Sequence, residues 1–454
     1  MAKETEIKLR VSPESLATLR EHPVLAERCV GSWQTRELLN RYYDTADFAL
    51  ANGQVALRIR RDGEQLIQTL KSKGASVAGL SERNEFDWQL KSNRLVLSHL
   101  DDSCWPESLR ELDKKQLKAV FSTDFKRQFA ELRWQREGVD TVVEVALDQG
   151  LVVAGDKQED ICEMELELRQ GDPAALLELA LELAADVALM PCDISKAERG
   201  YRLFDANSFN VAADSAQLTA ETPLDEAFAA IAWQLLGNSQ RLAEQYRFNG
   251  HWKLLEQWLQ QLVNLRALLA SLGHAVPRAA SSALRAQLGV LIDAWRVRIS
   301  DGAEDQTVRE AAPLEFAKEL DDTRWGMFSL QMALWLQDKQ WQKKRTARGT
   351  RQGAAALQNW LLQFLKEEAE ALQVNRYMRQ PEDLAEQAPR LERLLVWLQS
   401  AREVTGLLDS DRLFGSLREL HSIALQPLSP EALVQRREHL GSVLTLNAWK
   451  QVLR

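Results

Sequence analysis

Four cysteines, six histidines and no long apolar run set the first limits on this 454-residue chain. Cys29, Cys104, Cys162 and Cys192 are far apart and form no Cys-x-x-Cys motif, so they read as free thiols of a cytoplasmic protein. His22, His99, His251, His274, His421 and His439 show no metal-ligand spacing. No apolar stretch is long enough to span a bilayer, and the first residues carry no apolar signal segment, so no membrane partner is expected. A net charge of −9 argues against a general nucleic-acid binder, whose affinity rests on a basic surplus. A local basic cavity is compatible with that balance. No Ser/His/Asp nucleophile is visible.

What is present is a recurring pattern of charge. In Glu4-Thr5-Glu6-Ile7-Lys8-Leu9-Arg10, an extended backbone sends Glu4, Glu6, Lys8 and Arg10 to one face and Thr5, Ile7 and Leu9 to the other. One such strand would ordinarily turn its ionic face to water. Here the pattern returns in Arg58 and Arg60, in Lys71 and Lys73, in Arg83, Glu85 and Asp87, in Glu144 and Asp148, and in Glu163, Glu165 and Glu167. Several such strands of mixed sign suggest that the ionic faces look at one another. The row of three glutamates repels itself unless something positive neutralises it.

The charged faces are of two chemical kinds. Glu4, Glu6, Glu163, Glu165 and Glu167 are hard oxygen donors of the sort that Mg2+ or Mn2+ takes. Lys8, Arg10, Arg58, Arg60, Lys71, Lys73 and Arg83 outnumber those glutamates. A surplus of Arg and Lys facing a carboxylate-held metal suits a chain of phosphates.

The Glu-x-Glu-x-Lys of Glu4, Glu6 and Lys8 resembles the signature of the CYTH superfamily, the triphosphate tunnel metalloenzymes. Tyr42-Tyr43-Asp44-Thr45, Leu57-Arg58-Ile59-Arg60, Thr69-Leu70-Lys71, Arg83-Asn84-Glu85, residues 121–127, Leu147-Asp148-Gln149-Gly150, Cys162-Glu163-Met164-Glu165-Leu166-Glu167 and residues 195–201 follow in that family's order. The resemblance covers residues 1–204 and implies an α+β fold, an eight-stranded antiparallel β-barrel tunnel with flanking helices. It implies that Lys8, Arg58, Arg60, Lys71, Arg83, Arg127 and Lys196 hold phosphates, that Glu4, Glu6, Glu163, Glu165 and Glu167 hold Mg2+ or Mn2+, and that Glu4, Glu6 and Lys8 are the catalytic set. The substrate expected from the resemblance to bacterial inorganic triphosphatases is inorganic triphosphate or short polyphosphate, cleaved to pyrophosphate and phosphate. A class IV-type adenylyl cyclase, another organic triphosphatase and a non-catalytic polyphosphate-binding module are the alternatives.

Along the chain, Ser12-Pro13-Glu14 reads as a helix start and Asn52-Gly53 as a tight turn between strands. Asp172 reads as the cap of a helix running to about Val187. Residues 205–222 read as a linker. Residues 223–454 show helical spacing throughout, predicting an all-helical bundle domain whose many tryptophans serve core packing. The basic run from Lys339 to Arg351 reads as a solvated helix end. A helical segment behind a CYTH domain resembles a CHAD domain. The basic His/Arg pattern of that family keeps only Leu265 and Arg266 here, so its polyphosphate-binding role does not carry over.

Overall fold

The computed structural model describes residues 2–72, 74–77, 80–192, 194–204 and 216–454, with the backbone alone for residues 2, 3, 75–77, 82 and 83. Lys73, the side chain of Arg83 and residues 205–215 of the expected linker therefore lie outside the described residues. The chain divides into two compact units, each discontinuous in sequence. One is Met1–Ala212 with Gln240–Leu255 and Asp301–Leu334; the other is Ala213–Ser239 with Glu256–Ser300 and Trp335–Arg454.

The first unit is built on ten strands: β1 (Ala2–Arg10), β2 (Cys29–Asp44), β3 (Ala56–Asp62), β4 (Gln65–Lys71), β5 (Ala75–Val77), β6 (Leu80–Leu90), β7 (Lys118–Arg136), β8 (Val139–Ala154), β9 (Lys157–Gln170) and β10 (Met190–Pro191). Their order is β10-β1-β9-β8-β7-β2-β3-β4-β6-β5. β1 also pairs with β6, from Ala2↔Glu85 to Ile7↔Leu80, so β1, β9, β8, β7, β2, β3, β4 and β6 close into the expected eight-stranded antiparallel barrel. β5 and β10 are short additions at the rim.

Alternation along the strands decides what faces where. Ile7, Leu9, Met164 and Leu166 are fully buried on the outer side of the barrel wall, while the charged residues between them point inward. Outward Leu57 and Leu70 join Leu50, Leu100, Trp105 and Leu109 in a cluster that the segment between β6 and β7 completes. Helices α1 (Pro13–Arg20) and α2 (Pro23–Arg28) pack on β7, β8 and β9, and α4 (Ala174–Ala184) lies against β1 and β9. The Asp172 carboxylate accepts from Ala174 N at 2.8 Å, but the capping position is taken by Pro173, and the helix ends at Ala184 rather than near Val187.

The Asn52-Gly53 signal is not a hairpin turn. Residues Ala49–Asn52 form a single helical turn, α3, because the buried Asp44 carboxylate accepts the backbone N–H groups of Leu50 at 2.9 Å and Ala51 at 3.0 Å. Those bonds supply the partners that the start of a helix needs.

One end of the barrel is filled by α5 (Lys196–Arg202), which starts in a Ser195/Glu198 capping box. It packs on Leu38, Tyr42, Phe121 and Phe125. The contact is close at Gly200, where a Cβ would stand 2.2 Å from the Phe121 ring. Helix α6 (Leu224–Asn249) contributes its last ten residues to this unit, along with the helical segment Asp301–Leu334.

The second unit is helical. The helices Leu357–Leu372, Ala388–Ala401, Ser410–Ala424 and Pro430–Thr445 pack in succession, with Trp258, Trp295, Trp341 and Trp397 fully buried, as the core-packing reading expects. Within the basic run, Arg345 is held by Asp225 at 2.8 Å. Arg266 donates to the buried Glu392 at 3.2 Å, which Arg296 also reaches at 3.1 Å. Among the described residues no helix is long and apolar enough to cross a membrane.

Candidate active site

A cavity of about 670 Å3 occupies the interior of the barrel. The strand registers give it two walls. Glu6 on β1 stands opposite Glu167 on β9, which stands opposite Glu144 on β8; with Glu4 these make an acidic wall. Across the interior, Arg58 and Arg60 on β3, Arg36 on β2 and Arg127 on β7 make a basic one. Lys71 marks the border, with its ammonium 2.8 Å from Glu4 and 3.0 Å from Glu85.

Toward the end filled by α5 the charges are tightly paired. Lys196 donates to Asp148 at 2.7 Å, to Glu165 at 3.0 Å and to Glu163. Arg127 makes two bonds to Asp148, at 2.8 and 2.7 Å, and reaches Glu165. Lys8 bridges Glu6 and Glu165, the latter at 3.0 Å. Burial alone would lower the ammonium affinity of Lys8 and raise the carboxyl of Glu165. Glu165 and Glu6 outweigh burial at Lys8 and hold it above its ordinary value, and Lys196, Lys8 and Arg127 hold Glu165 well below its own.

Elsewhere the charges are not balanced. Arg60 has no carboxylate within salt-bridge distance among the described residues and donates only to Asn40, at 2.8 Å. Burial and the neighbouring charges of Arg58 and Arg127 push it down to about 10, which marks an excess of positive charge on that wall. Glu167 shows the opposite excess. Burial and the charge of Glu4, with Glu144 and Glu6 adding to it, push Glu167 up to about 7 although Arg169 pulls the other way.

Among the described residues one group of carboxylates brings its oxygens close enough together to hold a metal ion. Oxygens of Asp148, Glu163 and Glu165 lie within 4.8 Å of one another, but the Lys196 ammonium already stands among them. Glu4, Glu6, Glu144 and Glu167 also line the cavity, paired with Lys71, with Lys8 and, for the last two, with Arg169, and they offer hard oxygens of the kind a divalent cation takes.

Of the residues singled out in the sequence, Glu4, Glu6, Lys8, Arg58, Arg60, Lys71, Arg127, Glu165, Glu167 and Lys196 line one cavity. Glu163 does not line it; it lies behind, paired with Lys196 and with Arg199 at 2.8 Å. Asp148, Glu144, Glu85 and Arg36 had no assigned role, and Arg36 and Arg169 each lie two positions from an inward residue, a signal that parity carries.

Residues 2–201 match the CYTH domain. Over 203 residues, 45% of the chain, the sequence is 34% identical to an inorganic triphosphatase of Haemophilus influenzae, and the match covers 55% of that protein. The chain thus spans about half the length of the curated relative it matches. A Hippeastrum adenylyl-cyclase-like protein with a dominant triphosphatase activity is 23% identical, with a TM-score of 0.32, over 44% of this chain and 95% of that one. An adenylate cyclase candidate from Bacillus halodurans is 22% identical, with a TM-score of 0.24, over 41% of this chain and 90% of that one.

Proposed function

We propose that this chain, whose residues 2–201 match the CYTH domain, hydrolyses inorganic triphosphate to pyrophosphate and phosphate within the barrel, with Mg2+ or Mn2+ as cofactor. The observation that carries the reading is the lining of the cavity: Lys8, Arg58, Arg60, Lys71, Arg127 and Lys196 share one interior with Glu4, Glu6, Glu144, Glu165 and Glu167, and among the described residues Arg60 has no carboxylate within salt-bridge distance. A phosphate chain bearing a divalent cation satisfies both sets.

Arg58, Arg60, Lys71, Arg127 and Lys196 bind the phosphate oxygens, the arginines through planar forks and the lysines as point charges. Their charge offsets the negative charge that gathers on the leaving pyrophosphate. Lys8, held ionised between Glu6 and Glu165, sits between the two walls and stabilises the phosphoryl group in transfer. Glu4, Glu6, Glu163, Glu165 and Glu167, with Glu144, are the residues that would hold the metal; Glu163 and Glu165, whose oxygens lie within 4.8 Å of one another and of Asp148, also pair with Lys196, Arg199, Arg127 and Lys8. When bound, the ion supplies charge neutralisation and acidifies the attacking water. Phosphoryl transfer needs chiefly positioning and charge compensation, so the reading calls for no Ser/His/Asp nucleophile.

Incubation with triphosphate, ATP or thiamine triphosphate, with Mg2+ or Mn2+, while free phosphate, pyrophosphate and cyclic AMP are followed, tests this. Phosphate release from triphosphate is expected. Cyclic AMP from ATP without phosphate release, or binding without turnover under either metal, would overturn it.

A further inference from the structure

Arg10 is the fourth inward residue of β1 after Glu4, Glu6 and Lys8, yet it does not line the cavity with them. Its guanidinium is taken by Glu244 of α6: Nε donates to Oε1 at 2.6 Å and Nη2 to Oε2. Glu244 lies far along the chain from the CYTH match but within the same compact unit, and its side chain is 1% exposed. The residue facing Arg10 across the β1–β9 ladder is Glu163. Glu163 is committed elsewhere, to Lys196 and to Arg199. The other nearby carboxylate, Glu159, is 3.9 Å from Arg10 and already accepts from Arg202 at 2.9 Å.

We propose that Glu244 is a positioning residue for Lys196: by satisfying Arg10 it leaves Glu163 to Lys196, and so fixes the ammonium that faces the cavity. A buried guanidinium does not stay unpaired. Without Glu244, Arg10 turns to the carboxylate opposite it on β9, and Lys196 loses one of its three acceptors. The kinetic consequence rests on the triphosphate reading of the cavity; the geometric one does not.

Reductive methylation of lysine amines, followed by peptide mass mapping, reports on Lys196 with no substrate present. Lys196 of the full chain reacts slowly, several-fold faster in Glu244→Gln, and slowly again in the pair Arg10→Met with Glu244→Gln, where nothing competes for Glu163. KM for triphosphate follows the same order, rising about tenfold in Glu244→Gln with a smaller change in kcat, and returning in the pair. Unchanged labelling in Glu244→Gln overturns the proposal, as does a Lys196 that stays reactive in the pair. Where Glu244→Gln alone fails to fold, Glu244→Asp, which keeps the charge but draws it back from Arg10, is compared with the parent and the pair, and Lys196 labelling as slow as the parent's overturns the proposal. If the chain does not cleave triphosphate but labelling keeps this order, the substrate reading falls and the positioning role stands.

Discussion

Lys196 donates to Asp148 across 2.7 Å and ties α5 to β8 inside the barrel. Asp148 is fully buried, and although burial alone would raise its carboxyl, Arg127 and Lys196 hold it below its usual range. Lys196→Met leaves Asp148, Glu163 and Glu165 together with one cation fewer. Breaking a buried ionic grouping from one side costs about 3–5 kcal/mol. Denaturant melts are expected to show a loss of that size together with loss of triphosphate turnover; a variant as stable as the parent contradicts the assignment.

Arg60 should behave in the opposite way. Arg60→Ala removes a charge that Arg58 and Arg127 repel, so the melting temperature is expected to hold or rise. A charged hydrogen bond to phosphate contributes about 2 kcal/mol, so Kd for triphosphate is expected to rise roughly thirtyfold. Calorimetric titration gives the affinity; a variant that loses stability and keeps affinity speaks against an anion-binding role.

Glu167→Gln separates stability from metal binding. The neutral amide ends the repulsion from Glu4, Glu144 and Glu6, so the metal-free protein is expected to become more stable at neutral pH. Its affinity for Mn2+ is expected to fall by at least about tenfold, the scale of losing one carboxylate donor. Equal Mn2+ affinity in parent and variant, measured by calorimetry, removes Glu167 from the ligand set.

Gly200→Ala tests the seat of α5. The added Cβ would stand 2.2 Å from the Phe121 ring, so the helix must shift and carry Lys196 with it. A loss of about 1–3 kcal/mol is the usual cost of overpacking, and kcat is expected to fall as well. Full activity in this variant would mean that α5 can move without disturbing the site.

Acid stability should report Glu244. Burial would raise its carboxyl, but Arg10 brings it down to about 2 from 4.5. The unfolded chain takes up this proton first, so the stabilisation of about 3 kcal/mol is present above pH 4.5 and lost as pH falls towards 2. Glu244→Gln is expected to flatten that limb of the pH–stability curve; an unchanged limb assigns it to other carboxylates.

The barrel was legible because its interior is ionic on strand after strand, and a period of two cannot be mistaken when Glu163, Glu165 and Glu167 alternate with Met164 and Leu166. The same parity located most of the cavity lining. It could not show how the charges pair, since Glu163 and Glu167 read alike in one strand while the fold gives one to Lys196 and leaves the other among carboxylates. Nor does periodicity carry contacts between distant segments. Glu244 is an unremarked position on an amphipathic helix until it meets Arg10. Asn52-Gly53 misled because the Asp44 carboxylate, eight residues earlier, competes for the local N–H groups.

The pairing of β1 with both β9 and β6 has a consequence for synthesis. Of the barrel's strands the first in sequence is the last to be paired on both sides, because its neighbour on one side ends only at Gln170. Until that neighbour emerges, Glu4 and Glu6 wait on a ribbon with an open edge, and pairings so distant in sequence form slowly. The barrel of the nascent chain therefore keeps an open edge, exposed to edge-to-edge association, until Gln170 of the 454 residues has emerged.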